Sequence, residues 1–162
     1  MKLSDDKILQ NDLDMIVNND CICWDKLRNQ SILVTGATGL IGSQIVMSLL
    51  NANSENNLNL TVIAAVRNKE KAEKIFRYAD KRALTFIVQD VLEPFTFADS
   101  VDYIIHGASM TSSKDFVDYP VETIKTALVG TENILNLAKK KNIKGMVYLS
   151  SLEVYGVVDF SI

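Results

Sequence analysis

Apolar residues in this chain fall into two kinds of run, and the two alternate. Short unbroken runs rich in branched residues mark strands buried on both faces. Stretches in which apolar positions recur every three or four residues mark helices with one packed face. Residues 31–35, 60–66, 84–88, 101–106 and 145–150 are of the first kind. Residues 3–17, 40–51, 69–78 and 121–141 are of the second. Ile8, Leu9, Leu13 and Ile16 mark the face of the first helix, and Ile41, Ile45, Val46, Leu49 and Leu50 that of the second. Ser4 stands at the expected N-cap of the first helix, with Lys7 where a capping box carries Glu or Gln. The polar stretch 53–59 reads as a loop. Lys139, Lys140 and Lys141 close the long helix, where its dipole favours cations.

This alternation predicts an α/β fold, a doubly wound parallel sheet of the Rossmann type with about five strands. Right-handed crossovers give the strand order 3-2-1-4-5. Residues 1–28 are expected to form a helical extension fastened by Trp24 and Leu27, and residues 29–162 the domain proper. The pattern stops after strand five, so the expected sheet is truncated there.

Composition narrows the function classes. With 48% hydrophobic and 23% charged residues the chain can bury a core, which excludes a disordered segment. The net charge of −3, with no basic stripe beyond residues 139–141, argues against a nucleic-acid partner. No apolar run is long enough to span a bilayer, and the first residues lack the apolar core of a signal peptide. Cys21 and Cys23 read as reduced thiols, and the only histidine, His106, is remote from them, so no metal site is expected. The expected compartment is the cytoplasm.

The chemistry starts at the loop Gly36-Ala37-Thr38-Gly39-Leu40-Ile41-Gly42, between the first strand and the helix after it. Gly36 permits the sharp turn out of the strand. Gly39 lets a pyrophosphate approach the backbone, and Gly42 lets the helix pack close to the sheet. The N–H groups and dipole at the helix start then favour phosphate. The spacing is GxxGxxG, and no Lys-Ser or Lys-Thr pair follows it, which excludes a P-loop. Strand and helix stand on either side of the loop, the context that a dinucleotide site requires. The cofactor is therefore expected to be NAD or NADP. The second strand ends Ala65-Val66-Arg67-Asn68-Lys69, without the acid that binds the ribose hydroxyls of NAD. Arg67, 25 residues after Gly42, suits a ribose 2′-phosphate instead, and Lys69 or Lys71 could assist, so the balance favours NADP.

Several motifs in order resemble the extended short-chain dehydrogenase/reductase family, the NAD(P)-dependent epimerases and dehydratases of nucleotide sugars. They are Val34-Thr35-Gly36 through Gly42, Gln89-Asp90-Val91, His106-Gly107-Ala108-Ser109, Gly130-Thr131-Glu132-Asn133-Ile134-Leu135, and Tyr148-Leu149-Ser150-Ser151-Leu152-Glu153-Val154-Tyr155-Gly156. The resemblance covers about residues 29–156. It implies that Asp90 and Val91 lie beside the adenine and that Gly107, Ala108 and Ser109 line the dinucleotide. It also implies that Ser151 is the catalytic serine and that Glu153 is the active-site glutamate of dehydratases and decarboxylases. Leu152 replaces the acid that thymidine-diphosphate-sugar dehydratases carry there, which disfavours that reaction.

The family's catalytic tyrosine lies in a Tyr-x-x-x-Lys helix, where a lysine one turn on lowers the phenol's pKa. Tyr155 is followed at that spacing by Asp159, and no tyrosine of these 162 residues has lysine there. The expectation is the cofactor-binding portion of a nucleotide-sugar epimerase, dehydratase or decarboxylase, inactive alone, with the nucleotide sugar bound by the complete enzyme. A non-catalytic NAD(P)-binding sensor or interaction module is one alternative. A fragment of an NADP-dependent carbonyl reductase is another. The asparagine that the family usually has three residues before Gly130-Thr131 is Ala127 here, which questions a polar link from helix to site.

The long helix has one apolar stripe in Val121, Ile124, Leu128, Leu135 and Ala138, widened by Val129, Ile134 and Leu137. So broad a face is expected to need two neighbours, one of them a missing helix or a second subunit. The chain should therefore self-associate, as a homodimer or less specifically, through residues 121–141. Light scattering over a concentration series checks this, and a monodisperse monomer at high concentration would count against it.

Overall fold

The computed structural model describes residues 2–156. Five parallel strands form one sheet: β1 (Ser31–Thr35), β2 (Thr61–Val66), β3 (Leu84–Val88), β4 (Tyr103–His106) and β5 (Gly145–Tyr148). Their order is β3-β2-β1-β4-β5, as the alternation of runs requires. The helices are α1 (Lys7–Val17), α2 (Leu40–Asn56), α3 (Lys69–Ile75), α4 (Ser113–Asp118) and α5 (Pro120–Lys141). The register pairs Thr35 with Ala65 and with His106, so the carboxyl ends of β1, β2 and β4 lie level.

Side-chain parity along the strands divides the core in two. Ile32, Val34, Val62, Ala64, Val66 and Leu84 face α2 and the elements beside it. Leu33, Ile63, Ala65 and Ile104 face the other way, against Ile134 and Leu137 of α5. Both faces of β1 and β2 are covered, which is why those strands are unbroken apolar runs. The edge strands differ from the expectation: β5 leaves Val147 and Tyr148 exposed and β3 leaves Val88 exposed, because an edge strand has fewer elements packed on it.

The amino-terminal segment is part of the first core. Leu13 and Val17 are buried with α2, and Trp24, in a 3-10 turn at Trp24–Leu27, donates its indole N–H to the Val17 carbonyl at 2.9 Å. With α1 on one side and the sheet on the other, α2 is buried almost all round from Val46 to Ala52. Even Asn51 is enclosed, and its amide donates to Asp14 at 3.0 Å.

Four details differ from the expectations. Asp6, not Ser4, caps α1: its carboxylate accepts from the Ile8 and Leu9 N–H groups at 2.8 and 3.4 Å, and its charge suits the helix dipole. Ser4 instead accepts from the Asp6 N–H. The second helix runs on to Asn56, through half of the polar stretch read as loop. Asn53 explains the extension, since its amide clamps both the N–H and the carbonyl of Leu60 (2.8 and 3.0 Å), and Asn57 ends the helix with φ 50°. The third helix stops at Ile75 because Phe76 turns into the core. The short α4 was not anticipated; Ser112 caps it.

The long helix buries only part of its predicted stripe. Gly130, Ile134 and Leu137 are buried and Ala138 packs beside them, while Val121, Ile124, Leu128 and Leu135 are exposed. Glycine at 130 sets this rotation, because a Cβ there would lie 3.0 Å from a Val91 methyl. The exposed row is the unpartnered apolar surface that the width of the pattern predicted. At the far end, Lys141 stitches the helix to the preceding loop by donating to the Phe97, Ala98 and Asp99 carbonyls at 2.7–3.1 Å.

Asp102 ties the amino ends of β1, β4 and β5 together. It accepts from the Ser31 N–H (2.8 Å) and hydroxyl (2.9 Å) and pairs with Lys144 at 2.9 Å. Burial opposes its ionisation, but the bonds from Lys144 and Ser31 outweigh that and lower its pKa. A depressed folded-state pKa contributes stability above the unfolded value, about 3.9, that is lost as pH falls through the folded value. Asp102→Asn should therefore cost about 1–2 kcal/mol at neutral pH. The gap to wild type should narrow below pH ~3.9, as read by urea unfolding at several pH values.

Candidate functional site

The site is built at the carboxyl ends of β1 and β4, the two strands between which the strand order reverses. Sheets of this kind open a crevice there. Gly36 leaves β1 with φ +68°, a left-handed conformation, and lies directly on the β4 loop. A Cβ at Gly36 would stand 2.5 Å from the Gly107 oxygen and 2.8 Å from the Ala108 nitrogen. One at Gly42 would stand 2.1 Å from the Gly36 oxygen. Three backbones are thus stacked without side chains between them: the β4 loop, the β1 loop and the first turn of α2.

Gly39 is the N-cap of α2, and no side chain caps the helix there. The N–H groups of its first turn, at Leu40, Ile41 and Gly42, have no acceptor within the helix. Leu40 and Ile41 carry exposed side chains and Thr38 is half-buried, so the cradle opens to solvent. Ile41 was expected in the core, but in the first turn of α2 it is 61% exposed.

On the other side of the crevice Thr35 is fully buried. Its hydroxyl accepts the Gly107 and Ala108 N–H groups, both at 3.2 Å, and lies 2.6 Å from Nδ1 of His106. His106 is buried; its Nε2 is 3.3 Å from the Thr131 hydroxyl of α5, and its ring rests on Tyr148, centroids 5.6 Å apart. Desolvation alone pushes its pKa below the usual value, so burial favours the neutral ring. Thr131 supplies the polar link from α5 that Ala127, one turn earlier, cannot. Ser109 follows, exposed, donating to the Met110 carbonyl.

Arg67 and Asp90 meet where β2 and β3 end. Arg67 is exposed, and its guanidinium stands 4.0 Å from Asp90, whose other oxygen accepts the Leu92 N–H at 3.0 Å. Val91 is buried with its side chain against Gly130, and its carbonyl accepts from Asn133 at 2.9 Å. Gly130 and Asn133 therefore dock α5 onto this loop, a task that the motif alone did not reveal. Ser151 lies exposed just past β5. The side chain of Glu153 lies outside the described residues. A surface depression lies elsewhere, between α1 and α2, lined by Lys2, Gln10, Asp14 and Asn56 among others. Among the described residues no group of three His, Cys, Asp or Glu could hold a metal, and no helix is long and apolar enough to cross a membrane.

These features define a doubly wound α/β domain with a glycine-rich cradle at its switch point. Residues 32–161 match the model of the NAD dependent epimerase/dehydratase family, and the chain belongs to that family. It is 35% identical over 140 residues to UDP-glucuronic acid decarboxylase 3 of Arabidopsis thaliana, covering 86% of this chain and 38% of the relative. It is 32% identical over 138 residues to a UDP-glucose 4-epimerase of Pisum sativum, covering 79% of this chain and 38% of the relative. Its fold resembles that of the Bordetella bronchiseptica enzyme WbmF in complex with NAD+. The TM-score is 0.63 at 21% identity, covering 84% of this chain and 40% of that one. The chain thus spans about 38% of the length of the curated relatives it matches.

The stacked backbones make a clear demand. Gly36→Ala should cost about 3 kcal/mol or more, since it adds both left-handed strain and a clash with backbone. Gly39→Ala, whose Cβ would stand 3.2 Å from the Gly36 oxygen at an ordinary φ, should stay within about 1 kcal/mol of wild type. Urea unfolding of the two variants compares them, and equal losses would contradict the stacking.

Proposed function

We propose that this chain binds a nicotinamide dinucleotide in the crevice and is the cofactor-binding part of a nucleotide-sugar epimerase, dehydratase or decarboxylase. The observation that carries the reading is the uncapped start of α2, held open above a glycine stack that no Cβ could enter. The residues fit a pyrophosphate: Leu40, Ile41 and Gly42 offer N–H groups at the positive end of the helix dipole, Gly36 and Thr38 shape the loop before them, and Gly39, whose own N–H is donated to the Gly36 carbonyl, leaves room for close approach. Gly107, Ala108 and Ser109 form the opposite wall. Asp90 and Val91 flank the adenine end. The bound dinucleotide would accept a hydride from a sugar carbon, and in many such reactions return it. In the whole protein Ser151 would hold the sugar hydroxyl and Glu153 would serve as an acid or base.

Arg67 supports NADP over NAD. It stands exposed at the end of β2, held beside Asp90, and a guanidinium there can pair with a 2′-phosphate. The named relatives, a decarboxylase and an epimerase, support nucleotide sugars as substrates of the whole protein. The exposed row Val121, Ile124, Leu128 and Leu135 supports a homodimer through α5. The free thiols Cys21 and Cys23 suit the reducing cytoplasm.

Calorimetric titration of the chain with NADP+ and with NAD+ tests the reading. NADP+ should bind more tightly. Arg67→Ala should weaken NADP+ about tenfold and leave NAD+ unchanged, and Gly39→Ala should weaken both. Equal binding of the two dinucleotides would remove the role of Arg67 and leave the cradle. Binding of neither would overturn the proposal for this chain.

A further inference from the structure

The hydrogen-bond inventory around Thr35 determines the state of His106. A hydroxyl has one hydrogen to give and two lone pairs to accept with. The Ala108 N–H occupies one lone pair of Thr35, and the Gly107 N–H is shared between the other and the Thr35 carbonyl, 3.3 Å away. The hydroxyl hydrogen is then the one that bridges the 2.6 Å gap to His106 Nδ1. Nδ1 is an acceptor and bears no proton, so the neutral ring carries its proton on Nε2. That N–H points at the Thr131 hydroxyl, 3.3 Å away on α5. The opposite tautomer would add the Nδ1–H to the donors around that oxygen and leave the hydroxyl's own hydrogen without an acceptor among the described residues.

The consequence reaches the crevice. Among the described residues the Ala108 N–H has only the Thr35 hydroxyl as acceptor, and Gly36 rests on that same peptide with no room for a side chain. If the hydroxyl turns, the 107–108 peptide loses its anchor and the glycine loop stacked on it loses its floor. We propose that His106 is a positioning residue, whose Nε2–H tautomer orients the Thr35 hydroxyl and so holds the Gly107–Ala108 wall in its binding conformation. This deepens the dinucleotide reading and rests on it for the functional part. It also links α5 to the crevice, because Thr131 fixes the other ring nitrogen. The groups facing the ring are Thr35 from β1, Thr131 from α5 and Tyr148 from β5, and only Tyr148 among them is titratable. Burial also disfavours the imidazolium, which would present a second N–H to Thr35.

The chain has one histidine, so 15N-histidine labelling yields one pair of ring signals. The expected spectrum has a pyridine-like Nδ1 and a pyrrole-like Nε2. Protonation of the ring should set in at lower pH than the value of about 6.5 at which an exposed imidazole titrates. Thr131→Val should shift Nε2 and leave Nδ1 pyridine-like. Thr35→Val should mix the tautomers and raise amide exchange at Ala108 about tenfold, and Thr35→Ser should restore both. His106→Leu should expose the Ala108 amide to the same degree and weaken the dinucleotide about tenfold, whereas His106→Asn, which keeps an acceptor near Nδ1, should retain most of both. An Nδ1–H tautomer or a mixture in the wild type overturns the proposal. So does a folded His106→Leu with unchanged exchange at Ala108. If the leucine variant does not fold, the wild-type tautomer and the Thr35→Val and Thr35→Ser pair decide. Wild type that binds no dinucleotide counts against the proposed function, while the tautomer and exchange data still decide the role of His106.

Discussion

At the carboxyl ends of β1 and β4 two stretches of backbone touch with no side chain between them, and the rest of the site is arranged around that contact. Gly36 sits on the Gly107–Ala108 peptide, and the first turn of α2 sits on Gly36 at Gly42. Such a stack brings polar backbone groups out of water, and each must find a partner or cost free energy. Thr35 provides it for the β4 loop by accepting two N–H groups on one buried hydroxyl. The N–H groups of the α2 start receive no protein cap, which leaves them for an anion. Closeness of the backbones and openness of the helix start are thus two results of the same three glycines.

The two cores hold this stack from opposite sides. The amino-terminal segment and the sheet enclose α2, so the helix that presents the cradle cannot tilt without opening both contacts. On the other face, α5 is drawn in at Gly130 against Val91 and held there by Asn133. That close approach places Thr131 within reach of His106, and it also turns Val121, Ile124, Leu128 and Leu135 outward. The same glycine thereby decides both the polar link to the crevice and the apolar surface left without a partner.

Much of this could be read along the chain. Strands buried on both faces must be unbroken apolar runs, so their number and order followed from the pattern. Close backbone approach tolerates only glycine, so the turn after β1 and its opening toward phosphate were legible at Gly36, Gly39 and Gly42. The Thr35–His106 pair was not, although parity carried a signal. Alternation puts Thr35 on the same face as Leu33, and His106 on the same face as Ile104, so two polar residues had to share an apolar interior. The helix ends were less legible still. Capping by Asp6 rather than Ser4, and the run of α2 to Asn56, depend on competing side chains of similar propensity.

The sequence by itself determined the class of fold, the strand order and the position of the glycine cradle, because these rest on periodicity and on steric limits that act within a few residues. Only the tertiary structure decided which face of α5 is buried, that His106 meets Thr35, and that Arg67 stands beside Asp90. Each of these needs partners far apart in the chain, 71 residues in the case of Thr35 and His106, and no local preference encodes such a meeting.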